Sequence, residues 1–178
     1  MANVTPVPSS AALDQWIFQC AEGDSHALEQ LYRATSPAVY AYLLSVLKNS
    51  QDAEDALHDT YLKVWSGAAG YQSQGKPMAW ILTIGKNLCL KQLHSQSKQT
   101  SSPEEWMEYA PDSGEMTQED KWVIRQCMEQ LSDDARQIVV LHAVAGFKHR
   151  EIAKMLDIPL STVLSKYHRS IHKLKALF

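Results

Sequence analysis

Along most of this chain, apolar residues recur at intervals of three and four positions, which is the period of an α-helix. In the first half the pattern predicts four helices, over residues 13–21, 25–47, 52–65 and 77–94. The second of these is expected to be interrupted near Ser36 and Pro37, because proline restricts the residue before it. Glycines from Gly67 to Gly75 indicate a loop before the fourth helix, which Pro77 can begin.

The helical pattern is lost between residues 95 and 116, where polar side chains, Pro103 and Pro111 predict a linker. It returns with a capping-box sequence at Thr117, and a further helix is expected from Ser132 to Gly146. We therefore predict an all-α fold of two small helical domains joined by a flexible, acidic linker. The expected boundaries are 1–94 for the first domain, 95–116 for the linker and 117–178 for the second domain.

The end of the chain, from Arg150 onwards, has the pattern of a helix-turn-helix, with Ser161 as a plausible N-cap of its second helix. This second helix has a short apolar stripe on one side. Its opposite side carries hydroxyl and basic groups, namely Thr162, Ser165, Lys166, Arg169 and Lys173. Such a stripe is typical of a recognition helix, which contacts base edges and phosphates in the major groove of DNA.

The distribution of charge supports contact with a polyanion at this end, although the net charge of the whole chain is only −3. Residues 1–94 carry −2 and residues 95–120 carry −6, whereas residues 121–178 carry +5. A chain with this asymmetry is expected to present its basic end to nucleic acid while its middle stays solvated.

Other sequence features set the expected class of protein. Cys20, Cys89 and Cys127 are odd in number and widely spaced, which is typical of thiols in a reducing compartment. No apolar run is long enough to span a bilayer and no signal-peptide pattern is visible, so a cytoplasmic protein is expected. His168 and His172 lie one helical turn apart, but no third ligand accompanies them, and neither a metal nor a cofactor is expected.

The helix over residues 52–65 has an apolar stripe on one side and an acidic face on the other. That face collects Asp52, Asp55 and Asp59, with Leu62 as its only apolar residue. It is either a solvated surface or a docking surface for a basic partner helix, with Leu62 at the apolar centre. Catalysis by paired carboxylates is disfavoured because no second catalytic group accompanies them.

One face of the helix over residues 77–94 combines an aromatic ring with polar groups, in Trp80, Thr83, Asn87 and Lys91. The ring can stack on a base while the hydroxyl, amide and ammonium groups meet phosphates and base edges, which suits single-stranded nucleic acid. The alternative is that Trp80 lies at the edge of the core and the other three side chains are merely solvated.

These segments, in this order, resemble bacterial extracytoplasmic-function (ECF) sigma factors of the sigma-70 family. Residues 52–65, DAEDALHDTYLKVW, resemble region 2.2, which grips the clamp helices of the polymerase β′ subunit. Residues 77–88, PMAWILTIGKNL, are similar to the segment that recognises the −10 element. Residues 131–178 resemble region 4, which recognises the −35 element and sits on the β flap. The sequence departs from the family pattern at Gly85-Lys86, where Ala-Arg is usual.

The resemblance implies an alternative sigma factor that binds core RNA polymerase and directs promoter recognition and melting, without being an enzyme. The residues then expected to bind core polymerase are Asp52, Asp55, Asp59 and Leu62. Those expected at the −10 element are Gly75, Lys76, Trp80, Thr83, Lys86, Asn87 and Lys91. Those expected at the −35 element are Arg150, Ser161, Thr162, Ser165, Lys166, Arg169 and Lys173.

The partners implied by the resemblance are core RNA polymerase, promoter DNA and an anti-sigma factor, with no insertion into a membrane. A stand-alone helix-turn-helix regulator remains an alternative, and it would bind duplex DNA tightly without polymerase. A helical adaptor that binds only proteins is a third reading, but it leaves the basic stripe of the last helix unexplained.

Overall fold

A computed structural model describes residues 8–95, residue 125 and residues 128–177. Within these residues the chain forms helices and no strand, which confirms the predicted all-α fold. The helices are α1 (Ser10–Ala21), α2 (Ser25–Leu47), α3 (Ser50–Gly67), α4 (Pro77–Ser95), α5 (Asp133–Ala143), α6 (His149–Leu156) and α7 (Leu160–Lys175). A 3₁₀ turn, Ala68–Gly70, follows α3. The linker from residue 96 onwards, Thr117 and Cys127 lie outside the described residues, and the domain boundaries stay a prediction.

Short polar side chains begin the first three helices. The Ser9 hydroxyl accepts from the backbone N–H of Ala12 at 3.2 Å, and Asp24 accepts from the N–H of His26 at 2.9 Å. Asn49 accepts from the N–H of Asp52 at 2.8 Å and so begins α3. Each of these side chains satisfies a backbone donor that has no partner within the helix.

Helix α2 lies at the centre of the first four helices and contacts α1, α3 and α4. Its Leu31, Tyr42 and Leu43 are fully buried. Helix α4 approaches α2 and α3 closely at Gly85, where an added Cβ would lie 3.0 Å from Leu43 Cδ2 and 3.3 Å from Thr60 Oγ1. The first four helices therefore form one tightly packed unit, and a glycine allows the closest approach within it.

The last three helices form a smaller unit in which α5 packs on α7 and α6 packs on both. Its fully buried side chains are Ile138, Leu141, Ile152 and Val163. The buried guanidinium of Arg136 donates to the carbonyl oxygens of Met128 and Leu131, each at 3.0 Å. These hydrogen bonds join the first turn of α5 to the segment that precedes it. This unit contains the predicted helix-turn-helix, formed by α6 and α7.

The two units contact each other, chiefly through α2 and α5. Lys48 pairs with Asp133 at 2.5 Å, and Lys76 pairs with Glu151 at 3.1 Å. The Lys86 ammonium donates to the carbonyl oxygen of Met155 near the end of α6. These polar contacts surround apolar ones, because buried residues of both units belong to one continuous cluster. The smaller unit is therefore supported by the larger one.

Three predicted details are wrong. Helix α2 runs through Pro37 without interruption, because proline removes one backbone donor while the buried Leu31 and Val39 on either side hold the axis. Helix α5 ends at Ala143 rather than at Gly146. Ser161 is not an N-cap, because α7 begins at Leu160 after Pro159, whose carbonyl oxygen accepts from two N–H groups of the first turn.

None of the helices in the described part of the chain combines the length and the apolar content that a bilayer span requires.

Candidate partner-binding surfaces

The acidic face of α3 lies on the surface, as its periodicity predicts. The apolar stripe of α3 is buried, and the face opposite it leaves Asp55 and Asp59 exposed and Asp52 half-buried. Leu62, among these charged neighbours, is 54% exposed. The structure thus brings the four predicted residues of this set onto one accessible face.

An apolar groove of about 500 Å³ runs beside Leu62, between the start of α2 and the end of α3. Its walls include Leu28 and Tyr32 from α2, and Tyr61 and Trp65 from α3. The rings of Tyr32 and Tyr61 meet edge to face at 4.8 Å, which makes this wall rigid. Sequence reasoning missed the contribution of α2. The available signal is the spacing of Leu28 and Tyr32, which puts them on one helical face.

Three of the four residues on the predicted nucleic-acid face of α4 are exposed, and the fourth is half-buried. Thr83, Asn87 and Lys91 are exposed along one side of the helix. Trp80 is half-buried instead, with its ring 4.6 Å from that of Tyr71 and against Gly67. Part of its indole therefore serves packing, as the alternative interpretation expected, and only the remainder is accessible.

The segment before α4 has no regular secondary structure and is exposed from Gln72 to Lys76, after the buried Tyr71. Gly75 has a φ of +72°, a conformation that glycine adopts without strain and other residues rarely adopt. The predicted loop thus exists, and its last residues lie beside the first turn of α4.

Two predicted −10 residues, Lys76 and Lys86, contact the second unit. Both contact α6, the first through the carboxylate of Glu151 and the second through the carbonyl oxygen of Met155. The backbone N–H of Lys148 and the nearby charge of Lys76 hold the pKa of Glu151 below its ordinary value, so this carboxylate is ionised at neutral pH. Lys76 stays exposed, and each ammonium has three N–H donors, so these contacts leave donors free.

The predicted −35 residues divide into two groups. Arg150, Ser161, Ser165 and Arg169 are exposed, and Thr162 is half-buried. Lys166 and Lys173 instead reach the start of α5, where they donate to Asp134 at 2.8 Å and to the carbonyl oxygen of Gln130 at 2.6 Å. Lys173 is also exposed and Lys166 is half-buried, and each ammonium has three N–H donors, so both lysines keep donors free beside these contacts.

A stacked histidine pair supports the helix-turn-helix, and sequence reasoning missed it. The rings of His142 and His149 lie 4.3 Å apart and nearly parallel, and Tyr167 meets both edge to face. Nδ1 of His142 donates to the carbonyl oxygen of Phe147 at 2.8 Å, while the buried Nε2 of His149 has no hydrogen-bond partner. Burial, and then the neighbouring His142 and His168, lower the pKa of His149 below its ordinary value.

No three potential metal ligands are grouped together among the residues that the structure describes, and His168 and His172 are both exposed on α7.

Two family models match the chain, in the order of the two structural units. Sigma-70 region 2 matches residues 31–99, and Sigma-70 region 4 matches residues 121–174. The first match includes α3 and α4, and the second includes α5, α6 and nearly all of α7. Together they cover more than half of the chain.

Curated proteins similar to this chain are sigma factors. The ECF RNA polymerase sigma factor SigK of Mycobacterium sp. (strain KMS) is 28% identical over 172 residues, which is 92% of this chain and 89% of that protein. The protein of the same name from Mycolicibacterium vanbaalenii is 25% identical over 174 residues, covering 93% and 89% of the two chains.

Solved structures share the fold. CnrH, in complex with the cytosolic domain of CnrY, aligns with a TM-score of 0.63 and 20% identity over 93% of this chain and 96% of its own. The sigma factor RpoE of Bartonella quintana, in complex with the anti-sigma factor NepR, aligns with a TM-score of 0.67 and 22% identity over 84% and 94%. With both sigma-70 regions present in order and full-length relatives of one class, the chain belongs to the ECF sigma factors of the sigma-70 family.

Proposed function

We propose that this chain is an alternative sigma factor that binds core RNA polymerase through α3 and directs it to promoters through α4 and α7. The observation that carries the proposal is the pair of sigma-70 regions, each of which coincides with a unit that presents a suitable surface. No bond is made or broken in this activity, so the protein is not an enzyme. Its place of action is the cytoplasm, where polymerase and promoters are found.

Core polymerase docks on the acidic face of α3. Asp52, Asp55 and Asp59 attract a basic helix of the β′ clamp, and the exposed Leu62 provides the desolvated centre that such an interface needs. The groove beside Leu62 extends this apolar centre towards Tyr32 on α2. Charge sets the orientation and the association rate, and the apolar contacts supply most of the affinity.

The −10 element is held by the loop before α4 and by the exposed side of α4. Gly75 and Lys76 belong to the loop, while Thr83, Asn87 and Lys91 line the helix. Unstacking the bases of a melting promoter costs free energy, which stacking on an aromatic side chain and contacts to phosphates can offset. The remaining members of this proposed set are Trp80 and Lys86.

The −35 element is recognised by α7, which enters the major groove with its exposed hydroxyl and basic groups foremost. Ser161, Thr162 and Ser165 lie in its first two turns, where a recognition helix meets base edges. Arg169 and the lysines of its later turns contact phosphates, and Arg150 on α6 does the same from the neighbouring helix. The second unit also sits on the β flap.

An anti-sigma factor is a further proposed partner. CnrH and RpoE of Bartonella quintana, whose folds this chain shares, were each solved with a second protein, which for RpoE is the anti-sigma factor NepR. An inhibitor of this kind would cover the polymerase-binding face of α3, the DNA-binding faces, or both.

Titration of labelled protein with purified bacterial core polymerase tests the docking surface. The double substitution Asp55→Lys with Asp59→Lys reverses the charge of exposed residues, and we expect it to weaken core binding by at least about tenfold. Leu62→Asp should have a similar effect, because it places a charge at the apolar centre. Glu22→Lys, at an exposed site next to the end of α1, is the matched control and should bind like the unsubstituted protein.

Equal binding by all four proteins would remove α3 from the interface. Absence of core binding, together with tight binding of the protein alone to duplex DNA, would instead favour a stand-alone regulator.

A further inference from the structure

A single carboxylate on α1 fastens the loop that precedes α4. The Tyr71 hydroxyl donates to Oδ1 of Asp14 at 2.5 Å, and the Ser73 hydroxyl donates to Oδ2 of the same residue at 2.6 Å. The hydroxyl of Ser73 in turn accepts from the backbone N–H of Gly75 at 3.4 Å. Both oxygens of Asp14 are therefore engaged by side chains that lie 57 and 59 residues further along the chain.

An aromatic contact runs parallel to these hydrogen bonds. The ring of Tyr71 lies between that of Phe18 on α1, at 5.7 Å, and that of Trp80 on α4, at 4.6 Å. Tyr71 itself is buried, while its hydroxyl reaches the half-buried Asp14. Helix α1 thus holds one end of the loop, and the loop holds the ring of Trp80 in place.

Residues 72–76 need this external support because they have no regular secondary structure of their own. They are exposed, and Gly75 has a positive φ, so few backbone contacts fix their path. Hydrogen bonds to a carboxylate are stronger than those between neutral groups, which makes Asp14 an effective anchor. Burial, and then the hydrogen bond to Asp14, raise the pKa of Tyr71, so its hydroxyl stays a donor at neutral pH.

A carboxylate so close to a surface that faces DNA would be unfavourable if its only effect were to add negative charge. Its hydrogen bonds to the two hydroxyl groups are the effect that the structure shows. Asp14 also lies outside the residues matched by the region 2 family model, which begin at residue 31.

We propose that Asp14 is a positioning residue for −10 recognition: it holds the Tyr71–Gly75 loop and the Trp80 ring in the arrangement that distinguishes −10 sequences. It does so without touching DNA. This inference rests on the proposed function, in which that loop and Trp80 meet the −10 element. Loss of the anchor should therefore alter the choice among −10 sequences more than it alters folding or polymerase binding.

The test is transcription by core polymerase with each variant on a promoter library, in which the −10 element is randomised in one half and the −35 element in the other. Asp14→Ala removes both acceptors, Ser73→Ala removes one donor, and Tyr71→Phe removes the other while keeping the ring between Phe18 and Trp80. Gln15→Ala, at the exposed neighbouring position on α1, is the matched control. Thermal unfolding and core binding are measured on every variant.

In Asp14→Ala we expect the ratio of transcription from the best −10 sequence to transcription from the average one to fall about tenfold. The fall should be smaller in Ser73→Ala and in Tyr71→Phe, each of which removes one donor. The −35 preference and core binding should stay unchanged, as should every property of Gln15→Ala. Unaltered −10 preference in Asp14→Ala and Tyr71→Phe would overturn the inference.

An equal loss of transcription on both halves of the library, together with a lower unfolding temperature, would also overturn the inference, because Asp14 would then have only a structural role. No initiation by the unsubstituted protein would overturn the proposed function itself, and this inference with it.

Discussion

The helices of the two structural units differ in how much of each one is buried. In the first unit, α2 buries ten residues, and α3 buries an unbroken stripe. In the second unit, α5 buries six of its eleven residues, whereas α6 buries only Ile152, and α7 buries only Val163 and Ser170. Helices α6 and α7 therefore leave most of their residues at least partly accessible, as the proposed DNA contacts of these helices require.

The same comparison explains where the functional cations are found. On the first unit Lys76 and Lys86 contact α6, and on the second Lys166 and Lys173 contact the start of α5. Four of the cations proposed to meet DNA therefore have internal partners in this arrangement. We expect these contacts to compete with DNA, which would lower the affinity of the free protein for DNA.

The largest expected effect comes from the centre of the second unit. Ile152→Ala leaves a cavity under α6 and should cost about 2–5 kcal/mol of unfolding free energy. Because α6 and α7 bury so few residues, we expect α5, α6 and α7 to lose hydrogen-exchange protection while α1–α4 keep theirs. Val144→Ala, at a residue that is 54% exposed, is the control and should change little. Simultaneous loss of protection in all helices would contradict the separation of the two units.

A smaller effect is expected where α4 approaches α2. Gly85→Val places branched carbon atoms against Leu43 and Thr60, where even a Cβ is crowded, and should cost about 1–3 kcal/mol. Gly70→Val is the control, since an added Cβ there meets nothing within 4 Å. Urea unfolding measures both variants. Equal stability of the two would show that α4 can move away from α2 without cost.

Removing the ion pairs between the two units should have a smaller effect on stability still. Asp133→Asn combined with Glu151→Gln removes the pairs with Lys48 and Lys76 but keeps an amide oxygen for the buried guanidinium of Arg136, and partly exposed pairs of this kind contribute about 0–1 kcal/mol each. We expect faster hydrogen exchange in α6, unchanged exchange in α3, and tighter binding of the free protein to −10 single strands. Unchanged DNA binding would show that these pairs do not compete with DNA.

The smallest effect is a pH dependence confined to the second unit. The pKa of His149 is lowered in the folded protein, so the folded state resists protonation more than the unfolded state does. Stability should therefore be constant above about pH 6.5 and should fall as the pH drops through the lowered pKa, because the unfolded chain then binds the extra proton. His149→Phe keeps an aromatic ring on His142 and should abolish this dependence. NMR titration of the imidazole would contradict the assignment if its pKa lay above 6.5.

Much of the fold follows from local patterns in the sequence. The apolar stripe of α3, its Asn49 cap and the start of α4 at Pro77 depend on neighbouring residues alone, and the structure has all three. Proline at position 37 misleads this reasoning, because tertiary burial of Leu31 and Val39 outweighs one missing backbone hydrogen bond. Ser161 misleads it as well, because the carbonyl oxygen of Pro159 already begins α7.

The candidate surfaces were predictable only where one helix forms them. The acidic face of α3 belongs to a single helix, and its periodicity places all its members together. The groove beside Leu62, the Asp14 anchor and the histidine stack each join residues from different helices. Sequence spacing can place residues such as Leu28 and Tyr32 on one helical face, but it does not show which helices pack together.

The central claim is that this chain gives core RNA polymerase the ability to start transcription at specific promoters. The most direct test is run-off transcription of fragmented genomic DNA by purified bacterial core polymerase, with and without this protein, followed by sequencing of the new 5′ ends. New start sites that share a −35 and a −10 element, and that vanish with Asp55→Lys and Asp59→Lys together, are the predicted result. Unchanged start sites, from a protein that binds core polymerase and is correctly folded, would contradict the claim.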